Sequence, residues 1–293
     1  VSGTRWELQE EVTDRLEAAG VPTPEVDARL LLDAMEQRFG DLSRCDRAVL
    51  DAMVARRAAR VPLQVVLGRT TFRWVDLEVE VGVFIPRPET EVVAGLAIDA
   101  CDGIGAPLVV EPCTGTGAIT CALLGEVPGV RMRATDASLP AVELARRNVR
   151  RVLAGEASPP AWRPSADAEA QVLHGHLLDP LRQRDPGIAG SVDVLVTNPP
   201  YLPTSDAPSM DLEVVGHDPH DALFGGGGGH ELVDALLRES VVWLRPGGTV
   251  VIEIDDRRGP DAAACAQAAG LTDVRVEPDL TGRDRAVVAR RPA

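Results

Sequence analysis

Aromatic side chains make up only 3% of the 293-residue chain, and lysine does not occur at all, so all 30 basic residues are arginine. A nucleic-acid footprint usually needs a basic face, often with aromatic platforms for the bases. With 45 acidic residues and a net charge of -15, the composition disfavours that class of partner. Cysteine is sparse too: Cys45, Cys101, Cys113, Cys121 and Cys265 are odd in number, scattered and without a C-x-x-C pair. That pattern fits reduced thiols better than a disulfide framework or a zinc site. No apolar run reaches the roughly 18 residues of a spanning helix. The N-terminal stretch carries Glu7, Glu10 and Glu11 and lacks an apolar signal core. These absences lead us to expect a soluble cytoplasmic protein whose initiator residue, since the sequence starts at Val1, is either missing or misread. At 45% hydrophobic content the chain is not disordered as a whole, and Leu, Val, Ile and Ala must build its core. The single tyrosine, Tyr201, lies in Asn198-Pro199-Pro200-Tyr201.

The first sixty residues read as helices. Leu8, Val12, Leu16 and Ala19 share a face and Gly20 ends it. Thr23-Pro24 offers a cap with proline at the first helical position, before Val26, Leu30, Leu31, Ala34 and Met35. Ser43 to Asp46 resembles a capping box ahead of Val49, Leu50, Met53 and Val54. At 70–85 the period changes: Phe72, Val75, Leu77, Val79, Val81 and Val83 mostly alternate, as in a strand or hairpin. From about residue 90, strands alternate with helices. Expected strands are Leu108–Glu111, Met132–Thr135, Val172–His174, Val192–Thr197, Thr249–Ile254, Val274–Val276 and Ala286–Ala289. Helices are expected between most of them, as at Ala141–Val149 and Glu231–Leu244. Short buried strands alternating with helices imply a mainly parallel, doubly wound sheet. Residues 155–168 read as a surface insertion, and the five-glycine run 225–229 as a mobile loop.

Two motifs carry chemistry. In Val109 to Ala118 a buried strand enters the turn Cys113-Thr114-Gly115-Thr116-Gly117 and then a helix. Glycines let the backbone approach a ligand, and a helix N-terminus presents free N–H groups. Asp136, about 20 residues further on, ends the next strand where a carboxylate can hold ribose hydroxyls; its other reading is a helix cap, which Ser138 could equally supply. The second motif, Asn198 to Tyr201, follows the buried strand Val192–Thr197. Its prolines remove N–H donors and leave carbonyls free to accept. Asn198 adds a side-chain carbonyl, and Tyr201 can cover a planar group with its ring.

These residues resemble the HemK/PrmC family of class I S-adenosylmethionine-dependent enzymes, which methylate the side-chain amide of a glutamine in peptide-chain release factors. The resemblance runs almost end to end. It includes Val61-Pro62-Leu63, Leu67-Gly68, Ile85-Pro86-Arg87-Pro88-Glu89-Thr90-Glu91 and both motifs above. It continues through Asp221-Ala222-Leu223, Arg245-Pro246-Gly247-Gly248 and Asp279-Leu280-Thr281-Gly282-Arg283-Asp284-Arg285. It implies an α/β, Rossmann-like class I methyltransferase with a seven-stranded, mostly parallel sheet. A small helical substrate-recognition domain would span 1–68, a β-hairpin joint 69–90 and the catalytic domain 91–293. The resemblance further implies that Glu111, Cys113, Thr114, Gly115, Thr116 and Gly117 cradle S-adenosyl-L-methionine, with Asp136 on its ribose and His176 and Leu177 beside its adenine. Asn198 would touch cofactor and substrate; Asn198, Pro199, Pro200 and Tyr201 would bind the glutamine amide, with Asn198, Pro199 and Tyr201 as catalytic residues. The implied partner is a release factor, with no membrane.

The chain departs from the family at Glu111, where aspartate is usual, at Cys113, which replaces a glycine, and at Ile254-Asp255-Asp256, where glycine follows the isoleucine. At His176-Leu177 the family commonly has Asp and an aromatic. These departures imply weaker cofactor affinity or another protein substrate. Asn-Pro-Pro-Tyr also occurs in adenine methyltransferases of DNA, which leaves a nucleic-acid enzyme as one alternative and a non-catalytic module with an eroded cofactor site as another. His217, His220 and His230 lack the helical spacing of a zinc pair and read as exposed loop residues, so no metal is expected. Arg56, Arg57 and Arg60 read as a solvated basic face that could contact RNA or an acidic partner.

Overall fold

The computed structural model describes residues 4–293, so the start of the expected helical domain, residues 1–3, lies outside the described residues. Four helices open the chain: α1 (Arg5–Ala18), α2 (Pro24–Phe39), α3 (Arg47–Ala58) and α4 (Leu63–Leu67). Leu8, Val12 and Leu16 of α1 meet Leu31, Leu32 and Met35 of α2 and Leu50 and Val54 of α3 in one apolar cluster. The caps differ from those read in the sequence. Thr4 and Glu7 form a reciprocal capping box on α1. Asp46, not Ser43, caps α3, because a carboxylate there reaches the Ala48 N–H at 2.9 Å. The Thr23 hydroxyl donates to Asp27 instead of capping α2.

The strands and helices that follow are β1 (Arg69–Phe72), β2 (Val75–Glu78), α5 (Thr90–Ala100), β3 (Leu108–Pro112), α6 (Ala118–Glu126), β4 (Arg131–Asp136) and α7 (Leu139–Leu153). After them come β5 (Glu169–His174), α8 (Asp179–Arg184), β6 (Val192–Thr197), α9 (Leu212–His217), α10 (His220–Leu223), α11 (Glu231–Trp243), β7 (Leu244–Glu253), α12 (Gly259–Ala268), β8 (Thr272–Pro278) and β9 (Asp284–Arg290). β1 and β2 form the two-stranded hairpin; the other seven strands form one sheet in the order β5-β4-β3-β6-β7-β9-β8. All neighbours in it are parallel except β7 with β9 and β8 with β9. All seven sheet strands expected from the sequence are present, β7 starting five residues earlier than read.

Every residue of β3 and β6 is buried, because helices cover both faces of the sheet. Alternate side chains go to opposite faces. Val109, Val194 and Val251 pack under α5, α6 and α7, whereas Val110, Leu195, Val250 and Ile252 pack under α11 and α12. The expected strand through Val79–Val83 ends at Glu78 instead. There Asn148 of α7 takes the place of a partner strand: its Oδ1 accepts the Glu78 N–H at 2.8 Å and its Nδ2 donates to the Glu78 carbonyl at 3.1 Å. The 155–168 segment is tied down rather than loose, with Trp162 stacked on Trp74 at 4.9 Å and the Asp76 N–H donating to Ala157.

The chain divides into two compact units, Val1–Thr70 with Asp211–His217, and Thr71–Met210 with Asp218–Ala293. The late segment in the first unit is held by charge. Arg57 is buried, with Nε on Asp27 at 2.6 Å and Nη1 on Glu213 at 2.8 Å, and Arg60 Nε also meets Glu213 at 2.8 Å. Arg57 therefore belongs to an internal ion cluster and not to a solvated face. Removing one member strands a buried charge. We expect Asp27→Ala to cost about 3 kcal/mol of stability, read as the midpoint of chemical unfolding.

Candidate functional site

Sheet order reverses between β3 and β6, and ligands of open α/β sheets bind beyond the strand ends at such a point. A cavity of about 400 Å³ lies there, bordered by the ends of β3, β4 and β6. The Thr197 hydroxyl on the Pro112 carbonyl, at 2.6 Å, ties the ends of β6 and β3 together.

The turn after β3 is sharply bent: Cys113, Gly115 and Gly117 have φ of 57°, 55° and 80°. Glycine occupies that region freely and cysteine at a cost of about 1 kcal/mol, so Cys113 is strained where a glycine would not be. Gly117 is required for a second reason, since a Cβ there would stand 3.2 Å from Ala145 Cβ of α7. Asp136 fixes the turn. Its Oδ2 accepts the Gly115 N–H and its Oδ1 the Ser138 N–H, both at 2.8 Å. Ser138, and not Asp136, caps α7. Both carboxylate oxygens keep acceptor capacity on the cavity wall.

Glu111 lines the same cavity, yet its carboxyl turns to α6, where Oε2 accepts the Thr120 N–H at 3.0 Å and the Thr120 hydroxyl. It braces the turn from behind. Burial pushes it up from its ordinary 4.5 to about 8. A carboxyl raised in the folded state binds more protons folded than unfolded. Its stabilising contribution is full below pH 4.5 and is lost as pH rises through 8. Hence Tm should fall between pH 5 and pH 8.5, and by less in Glu111→Gln; parallel curves in calorimetry would contradict this.

His176 is exposed at the rim, and Leu177, at φ 43°, presents an aliphatic wall while its carbonyl accepts the Thr135 hydroxyl at 2.5 Å. Phe84, Pro86, Thr90 and Ile119 add to the lining. From β6, Asn198 and Pro200 reach the wall, with Asn198 Nδ2 donating to Thr90 Oγ1 at 3.1 Å.

Pro199 and Tyr201 are not on this wall. The ring packs on the apolar cluster under α11 and α12. A phenol taken inside needs a partner for its O–H, and Glu253 at the end of β7 accepts it at 3.0 Å. Arg285 donates to the same phenol oxygen at 3.4 Å and to Asp279 at 3.2 Å. Thr90, Glu253 and Arg285 carry no role in the sequence reading. One signal was available: Glu253 is a carboxylate inside the apolar run Val250 to Ile254. In the five-glycine run, Gly226, Gly227 and Gly228 are exposed. Gly225 and Gly229 are buried, and a Cβ on Gly225 would meet the Pro200 carbonyl, one on Gly229 the Tyr201 carbonyl at 2.6 Å.

The residues present suit S-adenosylmethionine: a bent turn of backbone N–H groups, a two-oxygen acceptor in Asp136 and aliphatic walls in a space of the right size for a cofactor. Fold and site together define a class I methyltransferase. A crystal structure of a methyltransferase from Pyrococcus furiosus shares the fold, with a TM-score of 0.52 at 18% identity, covering 82% of this chain and 100% of that one. No protein-family model matches the chain. It is 38% identical over 294 residues to a release factor glutamine methyltransferase of Streptomyces coelicolor, covering 96% of each. It is also 38% identical to one of Deinococcus radiodurans, covering 97% of this chain and 98% of that protein. The chain belongs to the release factor glutamine methyltransferase family. Among the described residues no helix is long and apolar enough to cross a membrane.

Proposed function

We propose that this protein transfers a methyl group from S-adenosylmethionine to the side-chain amide nitrogen of a glutamine in a peptide-chain release factor. Full-length likeness to release factor glutamine methyltransferases supports the substrate class. The observation that carries the reading is that Asn198 shares one cavity with the Cys113–Gly117 turn and Asp136. Cys113 to Gly117 would hold the amino-acid end of the cofactor, Asp136 its ribose, and His176 and Leu177 the adenine edge. When bound, S-adenosylmethionine supplies an electrophilic methyl group on a sulfonium.

An amide nitrogen is a weak nucleophile because its lone pair is shared with the carbonyl. Orientation is therefore the main device. Because Asn198 Nδ2 is taken by Thr90, its Oδ1 is left to accept from the substrate NH₂. Tyr201, partly buried beside it, donates its hydroxyl to Glu253 and so anchors the segment. The amide proton leaves after the C–N bond forms, so no dedicated base is needed. The test is incubation with methyl-labelled S-adenosylmethionine and either purified release factor or DNA. Label on the release factor supports the reading, and label on DNA alone rejects it.

A further inference from the structure

We propose that Asp221 is a specificity residue at the mouth of the cavity and selects a substrate segment with a positive side chain beside the glutamine. This deepens the methyl-transfer reading above and rests on it. The wall carries three carboxyl groups, Glu111, Asp136 and Asp221, and among its described residues no arginine. Two of the three are engaged. Glu111 turns to Thr120 of α6, and Asp136 holds the N–H groups of Gly115 and Ser138. Asp221 is exposed, and among the described residues its carboxyl has neither an ion pair nor a hydrogen bond.

The neighbouring arginine does not neutralise it. Arg87, next to the lining residue Pro86, pairs with the buried carboxyl of Asp218, three residues before Asp221. That positive charge is matched within the fold, and the one on Asp221 is left for a visitor.

Sheet order places Asp221 on the substrate side of the cavity. Asp136 ends β4, which β3 separates from β6. α10, which carries Asp221, is joined instead to the segment that follows β6. The Leu202 N–H donates to the Leu223 carbonyl at 3.0 Å, and the Gly225 N–H donates to the Leu202 carbonyl at 3.1 Å. These bonds, with the His220 ring edge-on to Phe224 at 5.4 Å, fix the short helix beside Asn198 to Tyr201. A protein chain that delivers a glutamine to Asn198 therefore passes an unmatched carboxylate on its way in.

Charge then decides what can lie next to that glutamine. With -15 on the chain and Asp221 at the mouth, an acidic segment is repelled, whereas an arginine or lysine side chain gains an ion pair. Charges at the rim of an interface govern encounter and choice of partner. Asp221 meets the residues beside the glutamine and not the reacting atoms, so its effect falls on KM and not on kcat.

The test uses the full chain, labelled S-adenosylmethionine and three synthetic peptides with one central glutamine, flanked by arginine, serine or glutamate. Wild-type KM should be about tenfold lower for the arginine peptide than for the glutamate peptide, with kcat within about threefold. Raising the salt concentration should shrink the difference. Asp221→Asn should bring the peptides to within about twofold of one another, and Asp221→Arg should reverse their order, which a merely structural side chain would not do. Fluorescence anisotropy of the labelled peptides should follow the same order without turnover. Calorimetry with S-adenosylmethionine alone should give a wild-type Kd in Asp221→Asn. Equal binding of the arginine and glutamate peptides by the wild type, or an arginine preference retained in Asp221→Arg, overturns the proposal. A weakened cofactor Kd in Asp221→Asn overturns it too, and assigns Asp221 to the cofactor. Wild-type protein that labels neither the peptides nor release factor rejects the proposed function instead, and the anisotropy still tests the charge preference.

Discussion

Asn198→Ala lowers methyl transfer by about a thousandfold, while thermal unfolding stays close to wild type. The size follows from what the side chain does. Among the described residues it is the one side-chain amide on the cavity wall, and in the proposed reaction it holds the substrate nitrogen for in-line approach to the methyl donor. Losing it removes the side chain that Thr90 holds by the Nδ2 end, together with its free Oδ1. The fold is spared because β6 is held by its buried strand partners, β3 and β7, and by Thr197 on Pro112. Turnover with labelled cofactor, run beside a thermal melt, checks both halves. An alanine variant with near wild-type kcat would remove Asn198 from the reaction.

The second large effect is on the cofactor. If Asp136 holds the ribose as proposed, Asp136→Ala should weaken S-adenosylmethionine binding by about a hundredfold, since two charge-assisted hydrogen bonds would be lost at about 1.5 kcal/mol or more each. The carboxylate also holds the Gly115 N–H, so the same change loosens the turn. Asp136→Asn keeps one acceptor oxygen and should lose less. Titration calorimetry on the protein alone measures this without any protein substrate; a Kd within about threefold of wild type would show that Asp136 serves only the turn.

The sheet was legible because its strands are written as short apolar runs: Val192 to Thr197 can be buried on both sides only as a central parallel strand. The hairpin was less so. Val79, Val81 and Val83 alternate well, but alternation does not supply a partner strand, and Asn148 closes the ladder at Glu78. Arg57 looked solvated because Asp27 and Glu213 are remote in sequence and only folding brings them together. The composition of the glycine run does not display that Gly225 and Gly229, at its ends, let one backbone press on another.

The site divides the same way. Asp136, Gly115 and Asn198 sit at strand ends and turns, where local pattern is informative. The partners of Tyr201 were not legible. Its placement depends on Glu253 and Arg285, 52 and 84 residues away, and a ring beside such partners turns inward. Thr90 and Glu253 escaped notice because their partners, Asn198 and Tyr201, lie 108 and 52 residues away and only folding brings them together.

The central claim is that the acceptor atom is an amide nitrogen of glutamine. It is tested most directly by fragmenting release factor peptides in a mass spectrometer after incubation with the protein and methyl-labelled S-adenosylmethionine. We expect one added methyl group, on a glutamine side chain, absent when Asn198→Ala replaces the wild type. Label on any other residue type, or undiminished glutamine label from the alanine variant, would contradict the account.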